Sequence, residues 1–158
     1  MTAAAMSPPS ATKAVAPACV CGRLRRAARA LTQLYDDTMA PSGLRITQFS
    51  LLRTLARSGA LRITELAALA LLDRTALSRN LEPRAAAGLV RIAAGRDART
   101  REVSLTRAGQ AALDKATPYW RRAQVLVARQ LGQQNIDVLV GLLDTVEELH
   151  PAPADHGT

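Results

Sequence analysis

Two short helical segments followed by two short strands around an arginine-rich loop are the most restrictive feature of this sequence. Thr64 and Asp73 are suitable N-caps for the two helices, and Gly88 is a natural residue to end the second one. Residues 89–93 and 102–105 then have the apolar, β-branched pattern of two strands, which a polar loop joins into a hairpin. This order predicts a winged helix-turn-helix, because few other folds place a hairpin directly after such a helix pair.

Apolar residues at helical spacing predict further helices on both sides of this unit. These segments are expected at Cys19–Met39, from the N-cap Thr47 to Ser58, from the N-cap Thr106 to Leu131 and at Gln134–Leu149, with a short strand at Leu61–Ile63. The fold class is therefore mostly α (α+β), with the winged helix-turn-helix at about 44–105. A single domain over 19–150 is expected, flanked by a disordered arm at 1–18 and a flexible tail at 151–158.

The positive charge of the chain is carried almost entirely by arginine. Lys and Arg total 21 against 13 Asp and Glu, a formal net charge of +8, and only Lys13 and Lys115 are lysines. The planar guanidinium fork suits phosphate groups and guanine edges. The 158 residues include four aromatic ones, which argues against a single-strand binder that stacks bases.

Other classes of protein are disfavoured by what the sequence lacks. No run of about 18 apolar residues predicts a membrane span, and residues 1–18 do not have the pattern of a secretory signal. Cys19 and Cys21 are too close together to staple a fold, which indicates the reducing cytoplasm. The sequence has no Gly-rich phosphate loop, nucleophile elbow or metal motif, so neither an enzyme, a cofactor nor a metal site is predicted.

The second short helix and the hairpin loop both carry groups suited to double-stranded DNA. The exposed helix face contributes Arg74, Thr75, Ser78 and Arg79, and the loop contributes Arg96, Asp97, Arg99 and Arg101. Like charges in one loop repel unless an anion meets them, and a positive loop tip can enter the minor groove. Each group alone also fits a solvated face or a local salt bridge, whereas the pairing predicts DNA binding.

The chain resembles the MarR family of transcription regulators from about Cys19 to Leu149. The segments that carry the resemblance are I-T-E-L-A at 63–67, L-D-R-T-A-L-S-R-N-L at 72–81, G-L-V-R at 88–91, D-A-R at 97–99 and V-S-L-T-R-A-G at 103–109. The resemblance implies a homodimer in which the helices at 19–39 and 106–149 interlock, and a dimer implies a pseudo-palindromic operator. It also implies that Arg99 enters the minor groove and that Asp97 orients it.

Pro83 and Arg84 depart from this family, in which many relatives carry Leu at the position of Arg84. A proline inside a helix removes one hydrogen bond and can bend the helix. We expect the guanidinium of Arg84 to extend outward, toward solvent or a phosphate.

Two kinds of signal are compatible with the sequence. Cys19 and Cys21 begin the first helix close to Arg23, and both a helix N-terminus and nearby guanidinium groups stabilise the thiolate that oxidants attack. The resemblance also implies a small aromatic acid or phenol as effector, for which Tyr35 and Trp120 would line a site. The alternative for the aromatic residues is a role in the hydrophobic core instead of a ligand site. The alternative for the cysteines is packing against a partner subunit instead of redox sensing.

The sequence thus predicts a repressor that a phenolic or aromatic ligand releases from DNA. A thiol-based redox repressor is the first alternative. An architectural protein that coats DNA through phosphate contacts, without sequence preference, is the second.

Overall fold

The computed structural model describes residues 19–95, 97 and 99–149. The predicted arm at 1–18, the predicted tail at 151–158 and the loop residue Arg96 lie outside these described residues. The elements in chain order are α1 (Val20–Met39), α2 (Ile46–Ser58), β1 (Leu61–Arg62), α3 (Ile63–Leu69), α4 (Arg74–Ala86), β2 (Val90–Ala94), β3 (Arg101–Leu105), α5 (Arg107–Leu131) and α6 (Gln133–Glu147). The expected class, mostly helical with a small sheet, is confirmed.

Side-chain caps begin two of the helices where the sequence predicted them. The carboxylate of Asp73 accepts a hydrogen bond from the backbone N–H of Ala76 at 2.8 Å and caps α4. The hydroxyl of Thr106 accepts one from the N–H of Gly109 at 2.9 Å and caps α5. Gly88 follows α4 with φ +72°, a conformation that glycine adopts without steric cost.

The predicted N-caps Thr47 and Thr64 are wrong. The N-cap residues are Arg45 and Arg62, two residues earlier, so that α2 and α3 begin at Ile46 and Ile63. Gln48 Oε1 accepts from the backbone N–H of Arg45 at 2.9 Å, and Glu65 Oε2 accepts from that of Arg62 at 2.8 Å. A Gln or Glu three residues into a helix can therefore fix its start without a hydroxyl at the cap position.

The three strands form one antiparallel sheet in the order β1-β3-β2. Val103 at the centre of β3 is paired with Leu61 on one side and Ile92 on the other, and its side chain is fully buried. The sheet packs on a core to which α2, α3, α4 and α5 all contribute. The largest fully buried side chains of that core are Met39, Phe49, Leu52, Leu55, Leu66, Leu77, Leu81 and Val103, and α5 contributes the fully buried Ala116.

The start of α5 is attached directly to the residues that end α4. The hydroxyl of Thr106 donates to the carbonyl oxygen of Gly88 at 2.6 Å, and its backbone N–H donates to that of Leu89 at 3.2 Å. Gly109 lies so close to the Leu89 carbonyl that a Cβ atom at this position would overlap it. The threonine and the glycine of the segment at 103–109 thus have a packing role, which is to bring α5 against the chain between α4 and β2.

The terminal helices bury little of their apolar surface within the chain. Helix α6 has no buried residue and α1 has one, Met39. Large apolar side chains are exposed along these helices and the second half of α5: Val20, Leu31, Val125, Leu126, Leu131, Val138, Val140, Leu142, Val146 and Leu149. Within the described ranges, none of the helices is both long and apolar enough to cross a membrane.

Candidate nucleic-acid interface

Helix α4 presents a polar face to solvent and an apolar face to the core. Leu77 and Leu81 are buried, as predicted. On the other side lie the four residues that the sequence analysis selected, of which Arg74, Thr75 and Arg79 are exposed and Ser78 is half-buried. The N–H of Leu72 donates to the carbonyl oxygen of Ala67 at 2.9 Å and holds the turn that leads from α3 into α4.

The loop between β2 and β3 is organised around Asp97. Its carboxylate accepts from the backbone N–H of Arg99 at 3.1 Å, and its carbonyl oxygen accepts from the N–H of Thr100 at 2.9 Å. The hydroxyl of Thr100 donates to the same carbonyl at 2.8 Å. The carboxylate of Asp97 thus forms an Asx turn that fixes the backbone at Arg99. The side chains of Asp97 and Arg99 are both exposed.

A small cavity between this loop and the helix-turn-helix is lined by four arginines. It has a volume of about 80 Å³, and its walls are Arg62, Ile63, Thr64, Arg74, Arg99, Thr100 and Arg101. We call this cavity the arginine cleft, after its four arginines Arg62, Arg74, Arg99 and Arg101. Four arginines around one cavity, with two threonines beside them, make this part of the surface suited to an anion such as a phosphate.

Arg62 and Thr64 belong to this cavity and were missed as candidate contacts. They reach it because β1 pairs with β3, which places Arg62 opposite Glu102, forty residues away in the sequence. The signal available from the sequence was an arginine and a threonine flanking the start of α3. Without the strand pairing, nothing placed them beside the loop.

The two cysteines lie at the exposed start of α1. Cys19 is the N-cap residue, and its Sγ accepts from the backbone N–H of Gly22 at 3.4 Å. Both thiols and the Arg23 side chain are exposed.

The candidate ligand residues Tyr35 and Trp120 instead pack against the core. The Tyr35 hydroxyl donates to Gln124 Oε1, and burial raises the pKa of Tyr35. Trp120 stacks on Phe49 with ring centroids 5.6 Å apart, and the Arg53 guanidinium lies 4.3 Å from the centroid of the Trp120 ring. Both residues are half-buried, and Trp120 also lines a cavity of about 190 Å³ between α2 and α5, so their role as ligand contacts stays a prediction.

A larger cavity of about 590 Å³ lies between α2 and the α3–α4 pair. None of the five candidate ligand or redox residues (Cys19, Cys21, Arg23, Tyr35 and Trp120) lines it. Arg84 is among the residues that line it. The expectation that its guanidinium extends outward is wrong, because Arg84 is only 8% exposed. Its Nη1 donates to the carbonyl oxygen of Asn80, and burial lowers the pKa of Arg84. Pro83 does not end α4, which continues to Ala86.

Comparisons with known proteins agree with this geometry. A model of the MarR family matches residues 44–91. Among solved structures, the transcriptional regulator MosR of M. tuberculosis in complex with DNA is 43% identical, with a TM-score of 0.75 over 84% of this chain and 98% of that one.

Two further structures show the same fold at lower identity. A probable transcriptional regulator from Pseudomonas aeruginosa is 26% identical, with a TM-score of 0.73 over 80% of this chain and 96% of that one. The transcriptional repressor CouR, bound to a 23-mer DNA duplex, is 26% identical, with a TM-score of 0.74 over 81% and 92%. A comparison with curated protein sequences finds no match. The fold, the arrangement of α4 with its neighbouring loop, and the identity to MosR together show that this chain belongs to the MarR family of DNA-binding transcriptional regulators.

Proposed function

We propose that this protein is a cytoplasmic, homodimeric repressor that recognises a pseudo-palindromic operator and has no catalytic activity. The observation that carries the proposal is the arginine cleft, because it joins the polar face of α4 to the loop at Arg99. A duplex that receives α4 in its major groove brings a phosphate group close to such a cleft.

The residues of this surface receive distinct roles in the proposal. Base edges in the major groove are contacted by the polar face of α4: Arg74, Thr75, Ser78 and Arg79. Arg99 enters the neighbouring minor groove, and Asp97 positions it through the backbone. Arg62 and Arg101 bind a backbone phosphate in the cleft, and Arg96 remains a predicted contact of the same loop.

The second copy of the chain is proposed to cover the exposed apolar side chains of the terminal helices. Val138 and Leu142 are 59% and 61% exposed and lie on α6, which buries nothing in its own chain, and Leu149, just beyond the end of α6, is 80% exposed. A contiguous apolar surface of this kind is costly in water and marks an interface. A twofold pair then places two α4 helices on half-sites about one turn of DNA apart.

The proposal also includes repression of transcription and release of the protein from its operator. A protein that occupies a promoter represses without any contact to polymerase, and the similar protein CouR is a repressor captured on a DNA duplex. A small aromatic ligand releases the operator, and the 590 Å³ cavity has the size that small-molecule sites usually have.

A thiol switch is a second candidate for release. It is favoured by the placement of Cys19 Sγ, which accepts from a helix N-terminal N–H while both thiols are exposed. In this switch a hydroperoxide takes two electrons and two protons from Cys19 and Cys21, giving one disulfide, an alcohol and water.

The proposal is tested by titrating labelled DNA from upstream of the gene against scrambled DNA at two salt concentrations. We expect the true operator to be preferred by about a thousandfold or more. Affinities that are equal for both duplexes and fall alike with salt would instead support the architectural alternative. Adding phenolic acids or peroxide to the wild type and to a Cys19→Ser, Cys21→Ser double variant separates the two modes of release.

A further inference from the structure

Helix α4 contains a proline, Pro83, three residues before its end at Ala86. A proline has no backbone N–H, so the carbonyl oxygen of Arg79, four residues earlier, receives no hydrogen bond from it. The proline ring also crowds that carbonyl group, which can bend a helix. The turn at 79–83 is therefore the part of α4 that backbone hydrogen bonding stabilises least.

The side chain of Arg84 supplies a donor to this turn. Its Nη1 donates to the carbonyl oxygen of Asn80, the residue directly after Arg79. The side chain is thus folded back along its own helix, and Arg84 is almost completely buried. It adds a hydrogen bond in the turn where Pro83 removes one.

This placement of Arg84 is unfavourable for a charged group. Among the residues that line the adjacent cavity there is no Asp or Glu, and within the described part of the chain Nε of Arg84 is buried without a hydrogen-bond partner. Burying a guanidinium without a counterion costs free energy, and buried charges in proteins are normally paired. The hydrogen bond to Asn80 is the interaction that offsets this cost, and it belongs to the turn that Pro83 weakens.

We propose that Arg84 is a positioning residue for DNA recognition, which fixes the geometry of α4 at Pro83 and thereby the direction of Arg79. Arg79 is the last residue of the polar face of α4, and it lies in the same turn as Pro83. A base contact needs a donor within hydrogen-bond distance of a base edge, so a small change in this turn is enough to remove it. This inference rests on the proposed function, in which α4 reads the major groove.

Arg84 acts through Arg79 in this proposal and does not touch DNA. Arg84 is buried on the core side of α4, whereas Arg79 is exposed. A change at Arg84 should therefore alter the preference for the operator, which depends on base contacts. Affinity for scrambled DNA depends on phosphate contacts and should stay the same. A general loss of folded protein would instead lower both affinities together.

The first test compares Arg84→Met with Arg84→Lys. The two new side chains have similar lengths, but only lysine can donate to the Asn80 carbonyl. We expect Arg84→Met to lower the ratio of operator affinity to scrambled-DNA affinity about tenfold, and Arg84→Lys to keep it within about threefold of the wild type. The matched control is Arg57→Met, at an exposed arginine of α2, which should keep the wild-type ratio. An unchanged ratio in Arg84→Met, or an equal loss in Arg84→Lys, would overturn the inference.

The second test is a double-mutant cycle with Pro83→Ala. Alanine restores the backbone donor to Arg79, so adding Arg84→Met to Pro83→Ala should lower the ratio by less than about threefold. An equal tenfold loss with and without the proline would overturn the inference. If Arg84→Met alone did not fold, a folded, operator-binding double variant would support the inference, and an unfolded one would overturn it. A wild type without operator preference would sink the proposed function, together with the inference that rests on it.

Discussion

The winged lobe, residues 44–105, and the terminal helices α1 and α6 use their apolar residues in opposite ways. In the winged lobe, side chains such as Leu52, Leu81 and Val103 are completely buried by other parts of the same chain. In α6 no side chain is buried, although the helix contains many valines and leucines. The comparison teaches that the lobe completes its core within one chain, whereas the terminal helices need surface from elsewhere.

The two regions also differ in what they offer a partner. The winged lobe exposes arginines and hydroxyl groups around the arginine cleft, which suit a polyanion. The terminal helices expose apolar side chains, which suit another protein surface. Each of the following substitutions tests either the winged lobe or the terminal helices.

The largest effect is expected from placing a charge on the apolar face of α6. Leu142→Asp should convert the proposed dimer into monomers, because an aspartate buried in an apolar interface is strongly unfavourable. Loss of the paired half-site contact should then weaken operator binding by about a hundredfold to ten-thousandfold. Sedimentation and operator titration measure the two effects.

The control for this variant is Gln134→Asp, which adds the same charge at an exposed polar position of α6. It should remain dimeric. If Leu142→Asp also stayed dimeric and bound the operator normally, the apolar face of α6 would not be the interface.

The next effect concerns stability and tests the closed core of the winged lobe. Leu81→Ala should lower the free energy of unfolding by about 3 kcal/mol, because Leu81 is fully buried and its truncation leaves a cavity. Urea unfolding measures the loss. Leu69→Ala, at a largely exposed leucine of α3, should change stability by less than about 0.5 kcal/mol. Equal losses in the two variants would contradict the description of this core.

A smaller effect is expected at Arg99, which we propose to enter the minor groove. Arg99→Ala should weaken operator binding about tenfold to a hundredfold and leave the proposed dimer intact, since the side chain is exposed and lies far along the chain from the terminal helices. Operator titration measures the loss, with Arg57→Ala as the matched exposed arginine. Unchanged affinity in Arg99→Ala would remove the loop from the mechanism.

The smallest effect should come from Arg62 in the arginine cleft. Arg62→Ala should weaken operator and scrambled DNA about equally, by about tenfold, and lower the salt slope of binding by about 1, because a phosphate contact carries no sequence information. Titrations of both duplexes at several salt concentrations measure this. A loss confined to the operator would instead make Arg62 a base contact.

The sequence was sufficient for the order of elements because those elements have local signals. Asp73, Gly88 and Thr106 mark helix ends through contacts within a few residues of themselves, and they were identified correctly. The N-caps of α2 and α3 were placed two residues too late, because a Gln or Glu side chain reaching back replaced the expected hydroxyl cap.

Features that depend on distant contacts were beyond the sequence. The contribution of Arg62 to the arginine cleft requires β1 to pair with β3, and the burial of Arg84 requires α4 to pack over the cavity beside α2. The stacking of Trp120 on Phe49 likewise joins α5 to α2, through a contact between residues far apart in the sequence. In each case spacing along the chain gave the residue type but not its neighbours.

Because the start of α5 is attached to Gly88 and Leu89, a change in the tilt of α5 changes its orientation relative to α4. Its 25 residues extend roughly 37 Å from the N-cap Thr106, at 1.5 Å per residue. A tilt of about 5° therefore shifts the far end by roughly 3 Å relative to the recognition helix. In the proposed dimer the two α4 helices must match half-sites about 34 Å apart. A small change in the angle between α5 and α4 is therefore enough to change the spacing of the two α4 helices so that it no longer fits the DNA.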